Sequence, residues 1–143
     1  KHRQEIIFQS KNLTIINDSK ATTFSSSMSL LKSLTNVYWI VGGQAKKGDI
    51  LLLSKKSCKN FKAYIFGNNK NFFINKLKKI MKYESFLDLN SLIKKLFLEI
   101  KVEKKTKHRT ILFSPSAASF DSFKNFEQRG KYFNYLIKKY INV

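Results

Sequence analysis

The chain has a single cysteine, Cys58, among 143 residues. That excludes a disulfide framework and a cysteine metal site, and leaves a buried apolar thiol as the reading of Cys58. One proline and five glycines argue against an extended linker, and 43% apolar content with 14% aromatic residues excludes a disordered polar chain. No apolar run approaches the roughly 20 residues a membrane span needs, and no charged-then-apolar leader opens the chain. These features set the expectation of a soluble, cytoplasmic protein with no membrane partner. The first residue is Lys1 and not methionine, and residues 1–5 run almost straight into a strand-like segment. The chain is therefore expected to be a piece of something longer.

Acid is also scarce: nine Asp and Glu stand against 28 Lys and Arg, a formal charge of +19. Such an excess raises a nucleic-acid or anionic-membrane reading, because a dense cationic surface releases counterions from phosphate polymers. Along the sequence, however, the lysines are dispersed, with Lys104, Lys105, Lys107 and Arg109 the one tight cluster, and arginine is rare. Lys, Asn, Ile and Phe are abundant together, the composition an AT-rich genome produces whatever the protein does. The expectation is no nucleic-acid partner and a monomer, with a basic nucleic-acid-binding module kept as the alternative from another functional class.

At this length the chain is expected to form one domain, residues 1–143, around one core. Apolar runs predict strands at Glu5–Phe8, Leu13–Asn17, Val37–Val41, Lys62–Phe66 and Thr110–Phe113, with a weaker one at Met81–Glu84. Helical periodicity fits residues 23–34, a leucine-rich turn or two at Ile50–Lys56, and Asn71–Ile80. The clearest helix follows the N-cap Asp88 and places Leu89, Leu92, Ile93, Leu96, Phe97 and Ile100 on one stripe. A last helix or helix pair is predicted from near Ser119, with Gly130 as a break. An opening hairpin followed by alternating strand and helix predicts a Rossmann-like α/β fold: a mostly parallel sheet of about six strands with helices on both faces.

In such a sheet the loops at the carboxyl ends of the strands face one crevice. After the second strand comes Asn17-Asp-Ser-Lys-Ala-Thr22, where a carboxylate, an ammonium and a hydroxyl lead into a helix start. That group can hold a sugar hydroxyl and an anion together, or Asp18, Ser19 and Thr22 can simply cap the helix. After the third comes Gly42-Gly-Gln-Ala-Lys46, in which paired glycines let backbone approach a ligand and Lys46 can reach an anion. A plain turn with solvated lysines fits that segment equally. The phosphate-cradling G-x-x-x-x-G-K-[ST] spacing occurs nowhere. After the last strand comes Ser114-Pro-Ser-Ala-Ala-Ser119, in which Ser119 and nearby amides can donate to a carboxylate, or Ser119 can cap a helix. A serine nucleophile is excluded: no G-x-S-x-G elbow is present, and neither His2 nor His108 is placed to act as its base.

The segment from Ile16 to Thr22 and the run Ser114 to Gly130 together resemble the C-terminal domain of the Mur ligases, in the branch that adds D-glutamate, almost residue for residue in the second. Two departures are Thr23, where the family has Asn, and Ser116, where it often has Cys. The resemblance covers essentially the whole chain but only the final third of a three-domain enzyme. It implies an ATP- and magnesium-dependent ligase that joins D-glutamate to UDP-N-acetylmuramoyl-L-alanine in peptidoglycan precursor synthesis, through an acyl phosphate. ATP and magnesium would be held mainly by the central domain, so the fragment alone would be inactive.

The resemblance also assigns residues. Lys46 and Thr22 would grip one carboxylate of D-glutamate, and Ser119 with the backbone of Phe126 the other. Arg3, Asp18 and Lys20 would lie against the nucleotide, with Lys20 also the catalytic candidate, and no residue here would bind metal. Another Mur-type amino-acid ligase is the nearest alternative.

Overall fold

The computed structural model describes residues 1–103, 107–119 and 122–142. Lys104 and Lys105 of the basic cluster, and Phe120 and Asp121 of the Ser114–Gly130 run, lie outside the described residues. Strands β1 (Glu5–Gln9) and β2 (Leu13–Asn17) lead to helix α1 (Phe24–Ser33), then β3 (Val37–Gly42) and β4 (Phe61–Phe66). Helix α2 (Lys70–Leu77), β5 (Lys82–Ser85), α3 (Leu89–Val102), β6 (Arg109–Phe113) and α4 (Phe126–Tyr140) complete the order.

One six-stranded sheet results, in the order β1-β2-β6-β3-β4-β5. Only β1 is antiparallel, forming the predicted hairpin with β2, with a register shift between Ile6 and Phe8. The remaining pairings are parallel. The fold is the expected Rossmann-like α/β architecture.

The central strand β3 is buried along its whole length, as a strand covered on both faces must be. Its side chains alternate between two cores. Val37, Trp39 and Val41 join Phe24 and Leu31 of α1 and Phe73 and Leu77 of α2 on one face. Tyr38 and Ile40 join Leu92 and Leu96 of α3 and Phe133 and Ile137 of α4 on the other. Cys58 is buried in the first of these cores.

Three local expectations are corrected. Ile50–Ser54 is neither helix nor strand, and a turn follows. Leu51 and Leu53 pack against the core while Ile50 and Leu52 are exposed, so the leucines alternate with a period of two and not 3.6. Helix α2 stops at Leu77, short of Ile80. Helix α4 starts at Phe126, not near Ser119, because Asn125 supplies its cap by accepting from the Gln128 amide at 2.8 Å. It then runs unbroken through Gly130.

Candidate functional site

The order of the strands creates the crevice. From β2 the chain skips one position to β3, continues outward through β4 and β5, and returns to fill the gap with β6. The connections from β2 and β6 therefore leave adjacent carboxyl ends toward opposite faces, α1 on one and α4 on the other. Such a switch point is where open α/β sheets hold ligands.

Three loops are bound together there. The Asp18 amide donates to Phe113 O at 2.7 Å and the Gly42 amide to Pro115 O at 3.0 Å. Gln44 and Ala118 exchange both backbone hydrogen bonds, at 2.9 and 3.0 Å. Both glycines sit where one stretch of backbone closes on another. A Cβ on Gly42 would lie 2.1 Å from Phe66 O, and one on Gly43 2.7 Å from Ala118 O.

Asp18 is buried and its carboxylate is held from within. Oδ1 accepts from the Gln4 amide at 3.1 Å and Oδ2 from Ser114 Oγ at 2.7 Å. Burial pushes its pKa above the usual carboxylate range, against the lowering effects of the Ser114 and Gln4 hydrogen bonds and the Arg3 charge. Ser114 Oγ also lies 2.5 Å from Ser27 Oγ, which is 2.6 Å from Ser116 Oγ. Capping of α1 falls to other residues. Thr23 accepts from the Ser26 amide at 3.2 Å, and Asp49 Oδ2 from the Phe24 amide at 2.8 Å. Asp18, Ser19 and Thr22 are thus not its caps.

Arg3, Asp18 and Lys20 come together. With Gln4, Ala21 and Ser26 they line a recess of about 220 Å³. Arg3 and Lys20 are exposed above the buried Asp18, a pair of cations over a carboxylate that suits an anion carrying hydroxyl groups. The Lys20 amide donates to His2 O at 3.0 Å, and Lys20 Nζ lies 5.7 Å from the centre of the Phe126 ring.

Thr22 and Lys46 are exposed, on loops joined through Asp49. The Asp49 amide donates to Lys46 O at 3.1 Å, while its carboxylate holds the start of α1 two residues beyond Thr22. Ser119 is buried, and its carbonyl accepts from the Ser122 and Phe123 amides at 3.3 and 2.8 Å. It does not cap α4. Phe126 opens that helix, its carbonyl accepting from Ser19 Oγ at 2.8 Å. As the first helical residue it has no intrahelical acceptor for its amide, and none is made among the described residues.

Sequence reasoning passed over Arg129, which is fully buried beneath these loops. Its guanidinium donates to Ser19 O at 2.6 Å, Ser19 Oγ at 3.1 Å and Ala117 O at 2.8 Å. The signal was present: Arg129 lies on the apolar stripe of α4, between Phe126 and Phe133. His2, which the sequence excluded as a serine's base, is buried. His108 bonds Thr14 Oγ1 at 2.8 Å near the amino ends of β2 and β6, away from the serines.

No protein-family model matches the chain. Curated relatives do. A UDP-N-acetylmuramoylalanine–D-glutamate ligase of Wolbachia sp. subsp. Brugia malayi (strain TRS) is 39% identical over 140 residues, 97% of this chain and 28% of the relative. Proteins of the same name from Rickettsia prowazekii (strain Madrid E) and Prochlorococcus marinus (strain NATL2A) are 36% and 37% identical, each over 97% of this chain. Those alignments span 31% and 30% of the relatives, so the chain accounts for under a third of their length.

Proposed function

This chain belongs to the Mur ligase family, and from that premise we propose that it is the D-glutamate-binding C-terminal domain of a longer, three-domain cytoplasmic ligase that joins D-glutamate to UDP-N-acetylmuramoyl-L-alanine. The observation that carries the reading is the joining of the loops after β2, β3 and β6 at one end of the sheet by the Asp18–Phe113, Gly42–Pro115 and Gln44–Ala118 hydrogen bonds.

D-Glutamate has two carboxylates and must present an uncharged amine to an electrophile. A suitable site has a cation or hydroxyl for each carboxylate and no acid that would keep the amine protonated. Lys46 and Thr22 supply one such clamp, and Ser119 with the Phe126 amide at the start of α4 the other. Arg129 fixes the backbone carrying both sides of this arrangement, through Ser19 and Ala117.

Arg3 and Lys20 in the 220 Å³ recess provide positive charge for nucleotide phosphates, and Asp18 an acceptor for a ribose hydroxyl. ATP and magnesium, held mainly by the remainder of the ligase, would supply the activation of the acceptor carboxylate as an acyl phosphate. This domain's share is then positioning of the attacking amine. Holding two reactants in line replaces a bimolecular encounter with a local one. On this reading the fragment alone forms no ADP.

The test is Lys46→Ala in the full-length ligase. The KM for D-glutamate should rise at least tenfold while the KM for ATP stays within twofold. Unchanged D-glutamate kinetics would remove Lys46 from the site.

A further inference from the structure

Five of the lysines dispersed along the sequence meet in space. Lys55 and Lys59 precede β4, Lys78 and Lys79 follow α2, and Lys82 opens β5. All five are exposed, and all line one trough of about 860 Å³. It lies at the amino ends of β4 and β5, the end of the sheet opposite the Asp18 recess. No carboxylate lines it. Lys62, at its inner edge, is engaged with Glu84 and Glu99 at 3.2 and 3.1 Å, whereas the five exposed lysines form no ion pair among the described residues. Tyr83 also lines the trough and is 41% exposed on the edge strand β5.

Five unneutralised ammonium groups on a concave wall repel one another and are relieved by a polyanion. The concave form suits a strand more than a flat lipid surface. An exposed aromatic ring among cations is what a base stacks on while its phosphates meet the lysines. We propose that this trough binds single-stranded nucleic acid without sequence preference, through the five lysines and a base stacked on Tyr83. This inference is independent of the ligase reading, since none of these residues belongs to the site at the other end of the sheet.

The test is fluorescence anisotropy with labelled dT20, from 50 to 200 mM KCl. Five phosphate contacts on a single strand give a logarithmic salt slope of about −3.5, so affinity should fall about a hundredfold over that range. Replacing all five lysines by Gln should abolish most binding and flatten the slope, whereas replacing them by Arg should retain it. Tyr83→Ala should weaken binding at least fivefold.

A control carries Gln at five lysines elsewhere on the surface, Lys11, Lys32, Lys94, Lys131 and Lys138, all exposed. It should bind within a few-fold of the parent. Equal loss in the trough and control variants would show that net charge alone is responsible and overturn the proposal. So would the absence of dT20 binding, with or without binding to phosphatidylglycerol vesicles.

Discussion

The ring of His2 occupies the notch left by the missing side chain of Gly130. A Cβ at position 130 would lie 2.7 Å from both Cγ and Cδ2 of His2, closer than side-chain atoms approach. The glycine sits inside α4 for that reason, at a position where helix propensity alone favours alanine by about 1 kcal/mol. The His2 carbonyl accepts from the Lys20 amide, and the Gln4 amide donates to Asp18. The opening segment is thus fastened to the site loop on one side and to α4 on the other. Gly130→Ala should destabilise the chain by about 1–3 kcal/mol through overpacking, despite the better helix former. His2→Ala in the same chain should recover most of that loss. Denaturant unfolding of both single variants and the double variant measures the coupling; additive effects would show that the ring and the helix do not meet.

Arg129 makes a separate prediction. Its guanidinium satisfies two buried carbonyls, on Ser19 and Ala117, that belong to loops after different strands. Arg129→Met keeps much of the volume but leaves both acceptors bare, at an expected cost of about 2–4 kcal/mol. Arg129→Lys should recover less than half of it, because one ammonium cannot reproduce a planar fork reaching two loops. Urea midpoints at constant m-value decide the matter. Full stability in the Lys variant would mean that charge, and not geometry, is what the pocket requires.

The strands were readable because their apolar runs are distinct. Val37-Tyr-Trp-Ile-Val41 is apolar throughout, as a strand with helices on both faces has to be, and the Asp88 cap announces α3. The three site loops were readable as chemistry because small, hydroxyl and charged residues follow those strands. What joins the loops was not. Arg129, His2 and Ser27 each make a contact more than eighty residues away in sequence, and local pattern says nothing of these. The start of α4 was misplaced for a related reason: Ser114–Ser119 has helix-start composition, yet its backbone bonds to Gln44 and Gly42 and is unavailable to a helix. The same limit applies to charge, since lysines twenty residues apart meet in one trough.

The glycines at the end of β3 and in the loop after it differ in what they tolerate. Gly42 has φ +143° and a Cβ there would meet Phe66 O at 2.1 Å, whereas Gly48, at φ +83°, has open space around it. Gly48→Ala should therefore cost only the left-handed backbone penalty, about 1–2 kcal/mol. Gly42→Ala combines strain with a backbone clash at the carboxyl end of the β3–β4 pairing and should cost more than about 3 kcal/mol or prevent folding. Thermal unfolding of the pair tests this ranking. Similar losses at both positions would mean that the β3–β4 junction yields to the extra atom.

Asp18 should give the chain a distinctive acid response. A carboxyl whose pKa is higher in the folded than in the unfolded chain binds a proton more tightly when folded, so stability falls as pH rises from the unfolded value of about 3.9 to the raised folded one. Above that interval the charge is present in both states and the loss is complete. Asp18→Asn removes the titration while keeping an oxygen for the Ser114 hydroxyl. The parent's advantage over the Asn variant should therefore be greatest at the acid end and shrink as pH rises through the interval. Urea unfolding of both proteins in steps of half a pH unit from 4 to 7 measures it. The opposite slope, with the advantage growing toward neutrality, would mean that the Ser114, Gln4 and Arg3 interactions outweigh burial and hold Asp18 ionised.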